Sequence, residues 1–327
     1  MTFCRPYRCS QRYCLMNSDA LPTLAPKVFR FSDIDQYRTA VRNLSVEFTP
    51  LVRRISAAQT ILSLPGCDIN FAQSFPRIAE GQLAPNCTAV GFSMDDGSPI
   101  RFNGIERDRS AIVIGRHGAA YTTVERTERQ FTSVIFTQEM QDRGWPQAGP
   151  NWKVFETSAS AHNRLRALVK QILSNSLGFG ASEVGDASSA MRESLVAAID
   201  AAFADVVDAK WTSRANSIGH FKVFREIQAV LSGSIGRPVY SGELARHVGV
   251  SVRTMHDAVQ RYQGMSLHRY LRLRRLWLVR QRLLAGTDNV KACALACGFW
   301  HLGDFARSYR LQFGESPSET LTKSLQR

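Results

Sequence analysis

At 327 residues the chain has room for two domains with separate hydrophobic cores. A composition of 44% hydrophobic and 21% charged residues is ordinary for a globular protein. No apolar run approaches the roughly 18 residues a membrane span needs, so the expectation is a soluble, cytoplasmic protein with no membrane partner. The net charge of +13 is unevenly placed: from Trp211 onward there are 18 Lys and Arg against 7 Asp and Glu, and the first 210 residues are nearly balanced at 23 against 21. A polyanion partner for the C-terminal third follows, against the blander reading of a solvated basic surface.

Seven cysteines and no secretory apolar segment argue against an extracellular disulfide framework. Cys4, Cys9 and Cys14 recur every five residues, but no complementary Cys/His set with zinc spacing follows, so no metal or other cofactor is expected. Residues 1–26 read as a disordered basic tail, or as the product of an upstream start with the true beginning at Met16.

Residues 27–211 are expected to form one domain. A short helix with Ser32 as its N-cap is read over FSDIDQYRTAVRNL. From there to Phe136, runs such as CDINFAQSF, TAVGFSM, IRFNGI, AIVIG, AAYTTVE and FTSVIFT alternate with turn-rich breaks, among them AEGQLAPN. Seven or so strands at this spacing indicate a small barrel or sandwich, large enough to enclose one small molecule. His117, in IGRHGAAY, lacks the companions of a metal ligand and reads as a loop histidine; Trp145 and Trp152 close one end or simply pack. Two amphipathic helices follow, the first with a stripe of Leu165, Leu168, Val169, Ile172 and Leu173, suited to packing on the strands and to self-association as a homodimer. The charge balance changes at Thr212–Gly219, the expected linker.

The C-terminal region, 220–327, contains the same plan twice. An opening helix from His220 to Leu231 leads to Ser241–Gly264, a helix capped by Ser241, a glycine turn at Gly249, and a second helix capped by Ser251. Residues 289–314 repeat it: a short helix, Gly298, then a helix with Phe305 and Tyr309 matching Met255 and Val259. Between the two units, about sixteen helical residues span roughly 24 Å, which brings the second helices near the ~34 Å separation of successive major-groove faces. Tyr270, Leu273, Leu276, Trp277, Leu283 and Leu284 are expected to bury, leaving Arg269, Arg272, Arg275 and Arg282 for solvent or phosphate. Cys293 and Cys297 read as buried small residues in preference to a redox pair.

Gly298-Phe299, Phe305, Tyr309, Phe313-Gly314 and Ser316-Pro317, preceded by RYLRLRRLWLVRQRLL, resemble the AraC/XylS family of bacterial transcription regulators over about 100 residues, from Lys222 to Leu321. The resemblance implies an α+β chain: an N-terminal cupin-like β-barrel with following helices that binds a small effector and dimerises, then an all-α domain with two helix-turn-helix units on a linker helix. It implies a DNA-binding regulator, an activator that works on double-stranded promoter DNA with RNA polymerase, with no catalytic residues. Carried over by position, Arg253, His256, Asp257, Leu302, Gly303, Asp304 and Arg307 face the bases. Ser251, Arg261, Arg272, His301 and Arg310 are expected on phosphates. Arg253 and Arg307 are the preferred guanine readers; Asp257 and Asp304 depart from the family pattern, either accepting from cytosine or repelling phosphate. His301 caps its helix or touches phosphate, with Trp300 packed at the turn. An enzyme built on the barrel and an effector-independent regulator are the competing classes.

Overall fold

The computed structural model describes residues 24–325 apart from 34–36, 38–40, 97–99, 108–109, 139, 147–150, 177–183, 207–214, 235–237 and 287. The expected tail and its three cysteines fall outside the described residues up to position 23. Of the helix expected at 31–44, residues 34–36 and 38–40 also fall outside the described residues; the described ones are not helical, and Phe31 and Leu44 at its ends lie in strands.

Among the described residues, twelve strands build two antiparallel sheets. One contains β1 (Lys27–Phe31), β3 (Ala57–Leu64), β4 (Cys67–Ser74), β11 (Arg129–Phe136), β6 (Thr88–Ser93), β9 (Ala111–Arg116) and β12 (Lys153–Glu156), in that spatial order. The other contains β2 (Leu44–Pro50), β5 (Arg77–Leu83), β10 (Ala120–Glu125), β7 (Ile100–Phe102) and β8 (Ile105–Arg107). The cupin-like unit is thus a two-sheet sandwich, with no closed hydrogen-bonded ring among the described strands. Leu83, Phe102, Ala89, Val113, Ile135 and Trp152 join the inner faces in one apolar cluster. β5 lies within AEGQLAPN and its upstream neighbours, a stretch whose glycine and polar residues read as a break. His117 takes φ 40° in the turn between β9 and β10, and its Nδ1 accepts from the Asn86 amide at 3.4 Å.

Helices α1 (Ala159–Asn175) and α2 (Val184–Ala204) cover the outer face of the seven-stranded sheet. The predicted stripe is the packed face: Leu165, Val169 and Ile172 are buried and Leu168 and Leu173 pack at its edge. Trp145 is buried with them, its indole N–H donating to Asp200 at 2.6 Å.

The expected linker at Thr212–Gly219 is already helical from Ala215, where α3 (Ala215–Gly233) begins; its earlier residues lie outside the described ones. Then come α4 (Ser241–Val248), α5 (Val252–Gln263), α6 (Leu267–Ala285), α7 (Val290–Ala296), α8 (Leu302–Phe313) and α9 (Pro317–Leu325). Tyr240, not Ser241, holds the N-cap position of α4. The linker helix α6 has 19 residues, about 28 Å at 1.5 Å per residue. Its first half packs Leu267, Tyr270 and Leu273 into the core of the first unit, and Leu276, Val279 and Leu283 complete the core of the second. Cys293 and Cys297 are buried free thiols in that second core, and burial pushes both thiol pKa values up, Cys297 to about 11.

α9 was invisible to motif spacing beyond Pro317, yet it closes the second unit. Ser316 and Glu319 form a reciprocal capping box, each side chain bonding the other's amide. Arg280, only 4% exposed, reaches Glu315 at 2.9 Å and lies 4.7 Å over the Phe313 ring. Burial alone would raise the Glu315 carboxyl, but hydrogen bonds from Lys323 and Thr320 and the Arg280 charge outweigh it and hold the pKa below the ordinary glutamate value. A depressed carboxylate stabilises the fold above its unfolded pKa, and that contribution disappears as pH falls through the folded one. Glu315→Gln is expected to lower the melting temperature at pH 7, with the gap from wild type narrowing below about pH 4.3, a trend that thermal melts across pH 3 to 7 will check.

Candidate nucleic-acid interface

α5 and α8, the helices expected to read DNA, are each set up by their own ends. Gly249 at φ 73° and Gly298 at φ 77° turn the backbone through the left-handed region, which a Cβ disfavours, so that α5 and α8 leave α4 and α7 at the helix-turn-helix angle. Ser251 caps α5: its hydroxyl accepts from the Thr254 amide at 3.0 Å. His301 occupies the corresponding position on α8 but makes no side-chain cap. Met255, Ala258 and Val259 in α5, and Phe305 and Tyr309 in α8, are fully or almost fully buried. The opposite faces are therefore held outward by their own cores.

On those outward faces lie most of the expected contact residues. Ser251, Arg253, His256 and Asp257 are exposed at the first two turns of α5, with His256 Nδ1 and Asp257 Oδ1 3.7 Å apart. On α8, His301, Gly303, Asp304, Arg307 and Arg310 are exposed and Leu302 is half-buried. Unpaired amides at both N-termini add a partial positive charge where a phosphate backbone would pass. Arg261 lies at the other end of α5, exposed. Arg272 is not a loose surface arginine: it is half-buried and donates to Ser308 of α8. Arg275 is likewise half-buried, bonded to the Gly298 carbonyl at 3.4 Å, whereas Arg269 is exposed. Trp300, expected to pack at the turn, is 68% exposed.

The structure adds a set of residues that motif spacing gave no means to find. The C-terminal carbonyls of both reading helices are held by the N-terminal domain. Arg101 donates to the Gln260 carbonyl at 3.1 Å and Arg126 to that of Gly264 at 3.0 Å, at the end of α5. Arg53 donates to the Leu311 carbonyl at 2.7 Å near the end of α8, where Gln312 also bonds the Pro50 carbonyl at 3.0 Å. Guanidinium groups at these ends complement the negative pole of each helix. Between the two grips, Glu80 of β5 accepts from Gln263 at 3.0 Å and Tyr270 at 3.3 Å, and pairs with Arg274 at 3.4 Å. Ile78 and Val124 join the apolar core of the first unit.

β5 and β10 therefore have two occupied faces. Ile78, Glu80, Thr122 and Val124 meet the helical domain, while the alternate residues Arg77, Ala79, Tyr121, Thr123 and Glu125 line a cavity of about 70 Å³ between the sheets. Gln59, Asn70, Phe102, Phe131 and Trp152 complete much of its wall. Arg77 is neutralised there by Glu125 at 3.1 Å and lies 4.6 Å over the Phe48 ring. The buried Asn70 Oδ1 and Thr123 Oγ1 have no hydrogen-bond partner. No group of three or more His, Cys, Asp or Glu side chains is disposed to hold a metal among the described residues. No helix among them is long and apolar enough to cross a membrane.

This pair of helix-turn-helix units on one linker helix is matched by a family model, a helix-turn-helix domain, over residues 244–323. A XylDLEGF operon transcriptional activator of Pseudomonas putida is 33% identical over 102 residues, which is 30% of this chain and 65% of that protein. The HTH-type transcriptional activator RhaS of Pectobacterium carotovorum is 32% identical over 87 residues, 27% of this chain and 31% of the relative. Among solved structures, a protein of Rhodopseudomonas palustris described as a probable AraC family transcriptional regulator is 36% identical and matches 31% of this chain and 96% of its own, with a TM-score of 0.29. Over this region the chain is similar to the helix-turn-helix domain of AraC/XylS-type transcription regulators. It spans less than two thirds of the length of these curated relatives.

Removing the grip on α5 with the double substitution Arg101→Ala and Arg126→Ala is expected to speed hydrogen exchange in the last turn of α5 and the first turn of α6. Amides of α9, on the far unit, serve as the unchanged reference.

Proposed function

We propose that this protein is a sequence-specific, double-stranded-DNA-binding transcription regulator, an activator that acts with RNA polymerase as a cytoplasmic homodimer. One observation carries the reading: two reading helices present exposed N-terminal ends from a single linker helix, in the region matched by a helix-turn-helix family model. The basic excess after Trp211 supports a phosphate-rich partner. Arg253 and Arg307 supply the base-reading guanidinium groups, with His256, Asp257, Leu302, Gly303 and Asp304 beside them. Ser251, Arg261, His301 and Arg310 position the backbone, and Arg272 does so through its bond to Ser308. The α1–α2 layer is the surface assigned to self-association.

A small effector belongs in the cavity between the sheets. At about 70 Å³ it is near half the ~150 Å³ of an apolar cavity that accepts benzene, so it suits a ligand of a few heavy atoms unless the sheets part. Asn70 Oδ1 accepts a donor from such a ligand, and the Thr123 hydroxyl completes a second bond. Because the same strands dock the DNA-binding domain, a ligand with unequal affinity for the docked and released arrangements biases the grip on α5 and α8.

Selection of duplex DNA from a random pool by the full chain tests the reading: a single enriched motif with two separated half-sites is expected, and no enrichment would overturn it. On the selected site, Arg307→Ala should weaken binding by about 1 to 3 kcal/mol and relax one base position. Equal loss on every sequence would make Arg307 a phosphate contact.

A further inference from the structure

A protein that reads two successive major grooves from one side of B-DNA faces, midway between them, the minor groove and its flanking sugar–phosphate strands. On the DNA-binding reading, the seam between its two units is assigned to that midpoint. There the segment Pro238–Val239–Tyr240 before α4 meets the turn Gly298–Phe299–Trp300 before α8. The Trp300 indole N–H donates to the Tyr240 hydroxyl at 3.3 Å. A Cβ added to Gly298 would lie 2.7 Å from Pro238 Cβ, so the two segments are in close contact.

This seam is continuous with both reading ends. Trp300 immediately precedes His301, the N-cap of α8. Tyr240 shares a groove of about 320 Å³ with Val252 and His256 on the reading face of α5. Trp300 is 68% exposed, Tyr240 48% and Val252 44%, an unusual concentration of large apolar surface in a region whose other exposed side chains are largely polar. His256, His268 and Arg275 line the same groove, and no carboxylate does. An apolar surface edged by cationic and donor groups, between two helix N-termini, matches the sugar-and-phosphate wall of a groove in both shape of contact and charge.

We propose that Trp300 and Tyr240 form a third, sequence-independent DNA contact, packing against the deoxyribose strands that flank the minor groove between the two reading helices. The inference rests on the DNA-binding reading given above. The contact fixes the two units on the duplex and reads no base. It is apolar, so it releases no counterions of its own.

Binding of the full chain to its selected site, measured across salt concentrations for wild type, Trp300→Ala, Trp300→Phe and Tyr240→Ala, tests it. Burying one indole face predicts about a tenfold loss for Trp300→Ala, partial rescue by Trp300→Phe, the same selected motif, and an unchanged salt slope. Because Trp300 is exposed, unchanged thermal melting is expected and separates contact from folding. In wild type, DNA should quench a tryptophan emission component that Trp300→Phe lacks. Affinity of Trp300→Ala within twofold of wild type overturns the proposal, including the case where transcription in vitro falls while DNA binding is intact, which would assign the patch to a protein. A loss with an altered motif also overturns it, since Trp300 would then read a base. If wild type enriches no motif at all, the DNA-binding reading fails first and this contact with it.

Discussion

A β-strand has two faces, and in this protein both faces of β5 and β10 are in use. Arg77, Ala79, Tyr121 and Thr123 point into the cavity between the sheets, while Ile78, Glu80, Thr122 and Val124 point at the helical domain. Two-residue periodicity makes this arrangement inflexible, because no residue can shift to the other side without moving its neighbours. Glu80 is its centre. With Gln263, Tyr270 and Arg274 satisfying it, a carboxylate at the domain interface avoids the desolvation cost that would otherwise push the domains apart.

The grip at the helix ends extends the same constraint to both reading units. Arg101 and Arg126 hold the C-terminus of α5, and Arg53 holds that of α8. Both helices are thereby fixed at the ends away from the expected base contacts, and their N-termini stay exposed. α6 contributes to the cores of both units, so the linker is a structural member and not a tether. In the functional account, what is sensed between the sheets and what is read in the grooves meet in one shared sheet.

The helix-turn-helix pair was legible in the sequence because each of its signals is local: a turn glycine, a cap, an apolar pair at i and i+4. Gly249, Gly298, Met255, Val259, Phe305 and Tyr309 all behave as that pattern requires. Strands β3, β4, β6, β9, β10 and β11 were legible for the same reason, but β5 and β12 were not. With both faces covered, RIAEGQL shows no clean polar and apolar alternation, and its glycine, which sits against the Tyr121 ring, imitates a turn. Glu80, Arg53, Arg101 and Arg126 act across 138 to 258 residues of sequence, a separation at which spacing carries no information. Trp300 departs from expectation because a tryptophan beside a turn usually packs, and nothing in its neighbours announces exposure.

The central claim is that the inner and outer faces of the five-stranded sheet are mechanically joined. Hydrogen exchange of the full chain carrying Ala79→Leu, which enlarges a side chain on the cavity face without touching the helical domain, tests it most directly. Faster exchange is expected in β5 and also in residues 260–274, with α9 unchanged. A change confined to β5 and its sheet neighbours, with residues 260–274 protected as in wild type, would contradict it.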